Sequence, residues 1–372
     1  MAVVFALGLA GCGAGGGSAP DPGSVEFDTA AWGTDFSERS VPLEEFASGG
    51  PGKDGIPAID RPRFVAVEEA ERILEDRESI AVVEIGGAAK AYPIRIMVWH
   101  EIVNDHLGDR PIALTYCPLC NSTVAFNRQV GDRTLDFGTT GNLRKSDLVM
   151  YDRQTESWWQ QLTGEAVVGE LTGETLEAIP SQILSWREFK RLYPDGRVLS
   201  TETGHDRPYG ENPYVGYEQP DSAPFALAGQ ADSRLPPKER VAAVQTGAES
   251  AIVYPFSKLR REAPLPDQLD GRPVVVFFDS SVASALDEAA VAGGRSVGAA
   301  AVFSRRLAGR TLNFAPGPRP GAFRDAQTGS TWTMDGRAVD GQLRGERLTP
   351  LVSDDQFWFA LAAFFPEASI RR

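Results

Sequence analysis

The chain has 372 residues, with 37 Lys and Arg against 51 Asp and Glu, for a net charge of −14. That length can bury one or two sizeable cores. The acidity excludes nucleic acid as a partner, because no basic stripe is present to neutralise phosphates, and it is read as a solubility device.

Met1 to Ala10 is almost wholly apolar, and Leu9-Ala10-Gly11-Cys12 places small residues before a cysteine as a bacterial lipoprotein signal does. Residues 1–12 are therefore expected to be a signal-like segment, with lipidation at Cys12, an extracytoplasmic location in the cell envelope and membrane contact through the lipid anchor only. Residues 13–55 read as a tether and linker, Gly/Ser/Pro-rich at first and charged from Asp28 to Gly55. Past residue 15 no apolar run is long enough to span a bilayer.

From Ile56 the pattern predicts regular structure. Ala81 to Ile85 and Lys90 to Tyr92 form a hairpin turned at Gly86-Gly87. Apolar residues at 96, 99, 102 and 103 predict a helix over 94–105, with His100 and Asn104 four apart on its polar side. Short strands follow at 112–116, 123–127, 134–138, 147–152, 157–161 and 174–179, and a second helix at 185–192, closed by Tyr193-Pro194. The loop 201–235 is rich in Gly, Pro and Tyr, and part of it is expected to pack against the core.

Residues 236–372 repeat the preceding unit. Ala91-Tyr92-Pro93 returns as Val253-Tyr254-Pro255, Arg110-Pro111-Ile112 as Arg272-Pro273-Val274, and Arg133-Thr134-Leu135-Asp136-Phe137 as Arg310-Thr311-Leu312-Asn313-Phe314. The expected fold is α+β, a β-rich tandem duplication with similar lobes over 56–200 and 236–372. Tyr92, Arg110, Pro111, Phe137, Trp159 and Trp186 then read as scaffold. The second copy places Asp279 and Val282 opposite Cys117 and Cys120, and its helix carries Pro264 and Pro266.

Cys117-Pro118-Leu119-Cys120 thus belongs to the first copy alone. As a staple it closes a four-residue loop contributing roughly 2 kcal/mol at best. As a structural zinc site it lacks a second Cys-x-x-Cys, with only His100, His106 and His205 as nitrogen donors. As a redox pair it cycles between dithiol and disulfide with little backbone movement, and Arg95, Arg144 and Lys145 supply a field that favours a thiolate. As a soft-metal site it holds copper or a similar ion through Cys117, Cys120 and His100. The redox reading is preferred, with no cofactor and an unidentified thiol or disulfide partner; the alternatives are the soft-metal site and a non-catalytic surface binding module in which the dithiol is only oxidised. Its candidate catalytic residues are Cys117, Cys120, His100 and Arg144, and its pocket residues Arg95, Asn104, Lys145, Trp158, Gln160 and Gln161. The turn and strand expected after Cys120 set the motif apart from thioredoxin, where a helix follows.

The run from Tyr92 to Asp105, Thr115-Tyr116-Cys117-Pro118-Leu119-Cys120, and Asp147 to Asp152 through Glu156 to Gln161 resemble a prokaryotic family, domain of unknown function 3179. The likeness extends over most of the chain from Ile56, including Asn212-Pro213-Tyr214 and Leu235 to Arg240. It carries over no established activity. Some members are selenoproteins, which implies redox use of the Cys-Pro-Leu-Cys position.

Overall fold

The computed structural model describes residue 27 and residues 29–220 and 222–372; Cys12 and its signal-like context lie outside them. The fold is β-rich, 40% strand and 11% helix, arranged as many small sheets. Among the described residues no helix is long and apolar enough to cross a membrane.

Three sheets and one short helix build the region of the cysteines. The hairpin Ser79–Ile85 and Ala88–Pro93 turns on Gly86 and Gly87, both at positive φ, as a two-residue turn requires. It runs directly into helix Ile94–His100. The helix stops there rather than continuing to 105, because Glu101 takes φ 60° and ψ −32°, and Ile102–Leu107 becomes a strand paired with Arg110–Cys117. Ile102 and Val103, which counted as helical repeats, instead satisfy a strand buried on both faces. His100 and Asn104 therefore do not share a helix face.

Strand Arg110–Cys117 pairs with Ser122–Asn127 in the register Cys117 to Ser122, leaving Pro118 to Asn121 as the connecting turn. In a neighbouring sheet, Phe137–Arg144 and Asp147–Asp152 are joined by Lys145-Ser146, both at positive φ (54° and 70°). The expected strand over 134–138 is instead two pieces, and the one over 174–179 shrinks to Ala178–Ile179. The helix at 185–192 is present as Trp186–Leu192, with the Ser185 hydroxyl capping the Glu188 N–H.

Residues 29–55 are not a free linker. Phe46–Ser48 adds a strand beside Phe137–Arg144, and Trp32, Phe36 and Phe46 pack their rings around Trp158 at centroid distances of 5.0 to 5.3 Å. Each such pair contributes about 1 kcal/mol beyond burial, adding to the strand pairing and the ring burial that hold the arm in place.

The C-terminal part uses the same local devices. Tyr92 Oη donates to Asp105 at 2.7 Å, and Tyr254 Oη to Asp267 at 2.9 Å. Trp159 Nε1 donates to Asp152, and Trp332 Nε1 to Asp325, both at 2.9 Å. Helix Phe256–Glu262 is seven residues long, as Ile94–His100 is, and ends before Pro264, so the prolines follow the helix instead of interrupting it.

Asn104 joins two of the sheets. Its Nδ2 donates to Phe137 O (2.8 Å) and its Oδ1 accepts from Phe137 N (2.9 Å), satisfying both backbone groups of a buried residue. Asn104→Ala leaves both without a partner and is expected to lower unfolding free energy by about 3 kcal/mol in urea titration.

Candidate functional site

Cys117 ends its strand and Cys120 sits in the turn, which brings their sulfurs to 3.5 Å. Both are free thiols and fully buried. The turn Lys145-Ser146 delivers two groups to them: Ser146 O accepts from Cys120 Sγ at 3.4 Å, and the Asp147 carboxylate faces both sulfurs. Cys117, Cys120 and Asp147 offer three ligand atoms all within 4.8 Å of one another.

Burial raises the pKa of Cys117, and raises that of Cys120 further. Cys120 Sγ donates to Ser146 O, and hydrogen bonding from Cys120, its backbone N–H included, partly opposes the effect of burial at Cys117. Burial also pushes Asp147 up to about 6, against donors that favour its charge. Those donors are Gln160 Nε2 (2.6 Å) and Leu162 N (3.0 Å), both to Oδ2. Oδ1 is buried and has no N–H or O–H donor among the described residues.

Gln160 is oriented in turn by Arg144, whose Nη1 donates to its Oε1 at 3.3 Å and whose Nε and Nη2 hold Glu45 at 2.8 and 2.7 Å. Glu45, Arg144, Gln160 and Asp147 thus form one chain that ends at the thiols. Arg144 acts through Gln160, not on a sulfur. Gln161 supports the wall behind, donating to Thr115 Oγ1 and accepting from Ser122 Oγ.

The other sequence candidates lie elsewhere. His100 is buried, but its Nδ1 donates to Pro57 O (2.7 Å), so Nε2 is the acceptor of the Tyr209 hydroxyl (2.6 Å). Burial lowers its pKa to about 4, and the neutral ring is committed at both nitrogens. The third ligand-bearing group beside the cysteines is Asp147, not His100. Arg95 pairs with Glu78 at 3.1 Å. Lys145 points away, donating to Ala363 O, and Trp158 belongs to the aromatic cluster on the far face of its sheet.

Asp147 apart, three more groups stand here outside the sequence's site candidates, although the loop that carries the tyrosines was expected to pack against the core. Glu101 is the first. Its backbone is fixed by Met97 O and Tyr116 N, each at 2.7 Å, in a conformation costing a non-glycine residue about 1–3 kcal/mol. Burial raises its carboxyl to about 8, with Tyr214 as hydrogen-bond partner. The second is the loop bearing Tyr214 and Tyr217, both packed against the core that holds the cysteines. The third is Lys238, a buried ammonium that donates to Tyr217 O, Ser222 Oγ (2.6 Å) and Ala223 O (3.4 Å) and lies 3.4 Å over the Tyr217 ring. Lys238 clamps the loop over the dithiol. Lys238→Ala is expected to raise amide exchange across 214–220 and to speed iodoacetamide alkylation of the cysteines at least about tenfold, measured by mass spectrometry, because three part-buried acceptors lose their donor.

A cavity of about 280 Å³ lies under the same loop, lined by Glu101, Leu119, Leu143, Leu148, Tyr214, Tyr217 and Phe225 among others. Leu119 belongs to the Cys-Pro-Leu-Cys turn, so the cavity and the dithiol share a wall.

Neither the curated proteins nor the solved structures contain a match to this chain. A family model described as Protein of unknown function (DUF3179) matches residues 53–368, which include the cysteines, Asp147, the covering loop and most of the C-terminal part. The chain belongs to the DUF3179 family.

Proposed function

We propose that Cys117 and Cys120 form a thiol/disulfide redox centre with Asp147 as its proton acceptor. The observation that carries this reading is the pair of thiols at 3.5 Å facing one buried carboxylate. Forming a bond of about 2.05 Å asks the sulfurs to approach by only about 1.5 Å.

In the reaction, the Cys117 thiolate attacks a partner disulfide; a Cys117–partner S–S bond forms and one partner sulfur leaves with the electron pair and gains a proton. Cys120 then attacks the Cys117 sulfur, and Asp147 takes the Cys120 proton and hands it to the second partner sulfur, which leaves as a thiol. The protein gives up two electrons and two protons and becomes a disulfide. Burial of both sulfurs means that the loop held by Lys238 opens first.

Titration of the full soluble chain in glutathione buffers tests the proposal. A reversible two-electron couple is expected, lost in Cys117→Ser and in Cys120→Ser. A chain that keeps two thiols in every buffer overturns it, and a bridge that the glutathione pool cannot open marks an inert crosslink.

A second reading is favoured by the free Asp147 Oδ1: a soft or borderline metal ion held by Cys117, Cys120 and Asp147. Stoichiometric metal in the anaerobically purified chain, lost in Cys117→Ser, selects it. The lipid anchor at Cys12 and the extracytoplasmic location complete the proposal, supported by the sequence pattern alone; fatty-acid labelling that persists in Cys12→Ser removes that part.

The tandem duplication belongs to the proposal as well, supported by the paired Tyr–Asp and Trp–Asp devices. On that reading the second lobe is scaffold, since Ala263 stands opposite Glu101 and Thr333 opposite Gln160, beside Asp279 and Val282 opposite the cysteines.

A further inference from the structure

We propose that the cavity bounded by Glu101, Leu119, Leu143, Leu148, Tyr214 and Tyr217 binds a small, largely apolar molecule that presents a carbonyl oxygen to Glu101. This does not depend on the redox reading, because it concerns the space beside the dithiol and not the sulfurs.

Size comes first. About 280 Å³ is at the small end of ligand pockets, which run from roughly 300 Å³ upward, and suits a molecule of one or two rings. The walls are aliphatic and aromatic, and few polar side chains reach them. Thr139 has its hydroxyl on Ile56 O at 2.8 Å, Tyr214 is hydrogen-bonded to Glu101, and Tyr217 Oη accepts from Phe225 N at 3.4 Å, which leaves Glu101 and Asn142 to meet a ligand.

The acid is placed there deliberately by the backbone. The helix ends and the strand begins on Glu101, whose N–H and C=O are both bonded while its φ is positive. A glycine at that corner relieves the strain; a carboxylic acid that persists in such a conformation has a use for its side chain. Burial keeps the group protonated at neutral pH, so it donates a hydrogen bond.

A cationic ligand fits less well. The Lys238 ammonium already lies 3.4 Å over the Tyr217 ring, so that wall carries a positive charge, and a protonated Glu101 offers no counter-charge. A hydrogen-bond acceptor on an apolar body answers both features.

Calorimetry on the full chain with 1-tetralone, its hydrocarbon tetralin and 1-aminotetralin tests the assignment. At about pH 6.5 the ketone is expected to bind at least about fivefold more tightly than the hydrocarbon, the difference one hydrogen bond makes. Glu101→Gln, which still donates, keeps that preference, Glu101→Leu reduces the ratio to about one, and Leu143→Trp removes binding of both. Raising the pH to about 9.5 abolishes the preference in the wild type and spares it in Glu101→Gln. Among the groups around the cavity, Lys238, lowered to about 8 by burial, loses its charge over the same range, but it does so in Glu101→Gln as well, so the comparison of the two proteins isolates Glu101; Asp147, at about 6, is already mostly charged at the lower pH, and burial keeps Tyr116, Tyr214 and Cys117 protonated toward higher pH. Equal affinity for ketone and hydrocarbon, tighter binding of the amine, or no binding of any probe overturns the proposal. Circular dichroism melts verify that Glu101→Leu is folded, and Glu101→Gln provides the isosteric control.

Discussion

Replacing Asp147 by asparagine is expected to slow closure of the Cys117–Cys120 disulfide by about 10²-fold or more at neutral pH, the usual size of a lost general base. The substitution is isosteric. The asparagine oxygen still accepts from Gln160 Nε2 and Leu162 N, so the turn keeps its shape while the group facing the sulfurs loses its basicity. Attack by Cys117 is affected much less, because removing a negative charge near the thiols lowers their pKa. The two steps therefore separate, and a mixed disulfide on Cys117 accumulates. Rapid acid quench followed by intact-mass measurement detects it, and a closure rate equal to wild type removes Asp147 from the mechanism. Arg144→Met, which frees Gln160 to rotate, is expected to give a smaller loss in the same step.

The second large effect is a fall in stability as pH rises from about 6.5 to about 8. Glu101 is held protonated by the fold up to about 8, whereas in the unfolded chain it titrates near 4.5. The folded state then binds the extra proton, and the linkage relation gives a loss of about 1.4 kcal/mol per pH unit for one such group. Asp355, pushed to about 7 by burial, and Asp354, raised further, act in the same direction. His100 has the opposite sign, but its contribution lies lower, between about 4 and 6.5. Urea titrations at half-unit pH steps are expected to show the decline, with Glu101→Gln flatter than wild type by about 1.4 kcal/mol per unit. Parallel wild-type and mutant curves across that window would falsify the assignment.

Much of the frame was legible from local rules. The Gly86-Gly87 hairpin, strand Asp147–Asp152, the Ser185-capped helix and the turn and strand after Cys120 all follow from turn chemistry, alternation or capping. The helix over 94–105 misled because Trp99, Ile102 and Val103 satisfy a helical repeat as well as a buried strand, and nothing local announces that a glutamate will adopt a positive φ. The thiols were found from their spacing. Asp147 was not, since it opens a strand thirty residues away and reaches the sulfurs only through the Lys145-Ser146 turn. His100 attracted attention as a histidine near the motif, yet a backbone carbonyl and Tyr209 occupy it. A signal for the missed groups was present in the loop before Arg240, where tyrosines and a lysine recur among prolines, a composition that suits a covering segment better than a free one.

The turn that carries the dithiol is fastened from the far end of the chain. Phe357 N donates to Cys120 O at 2.8 Å, and Asp354 Oδ1 accepts from Thr123 N at 3.0 Å. Because synthesis runs from the N-terminus, both cysteines leave the ribosome more than two hundred residues before these partners exist. Throughout that interval the thiols are open to whatever oxidant or metal the compartment offers. The state in which the centre is first sealed is thus expected to be set during biogenesis, before the arrival of strand Asp354–Phe357 hands control to the finished fold.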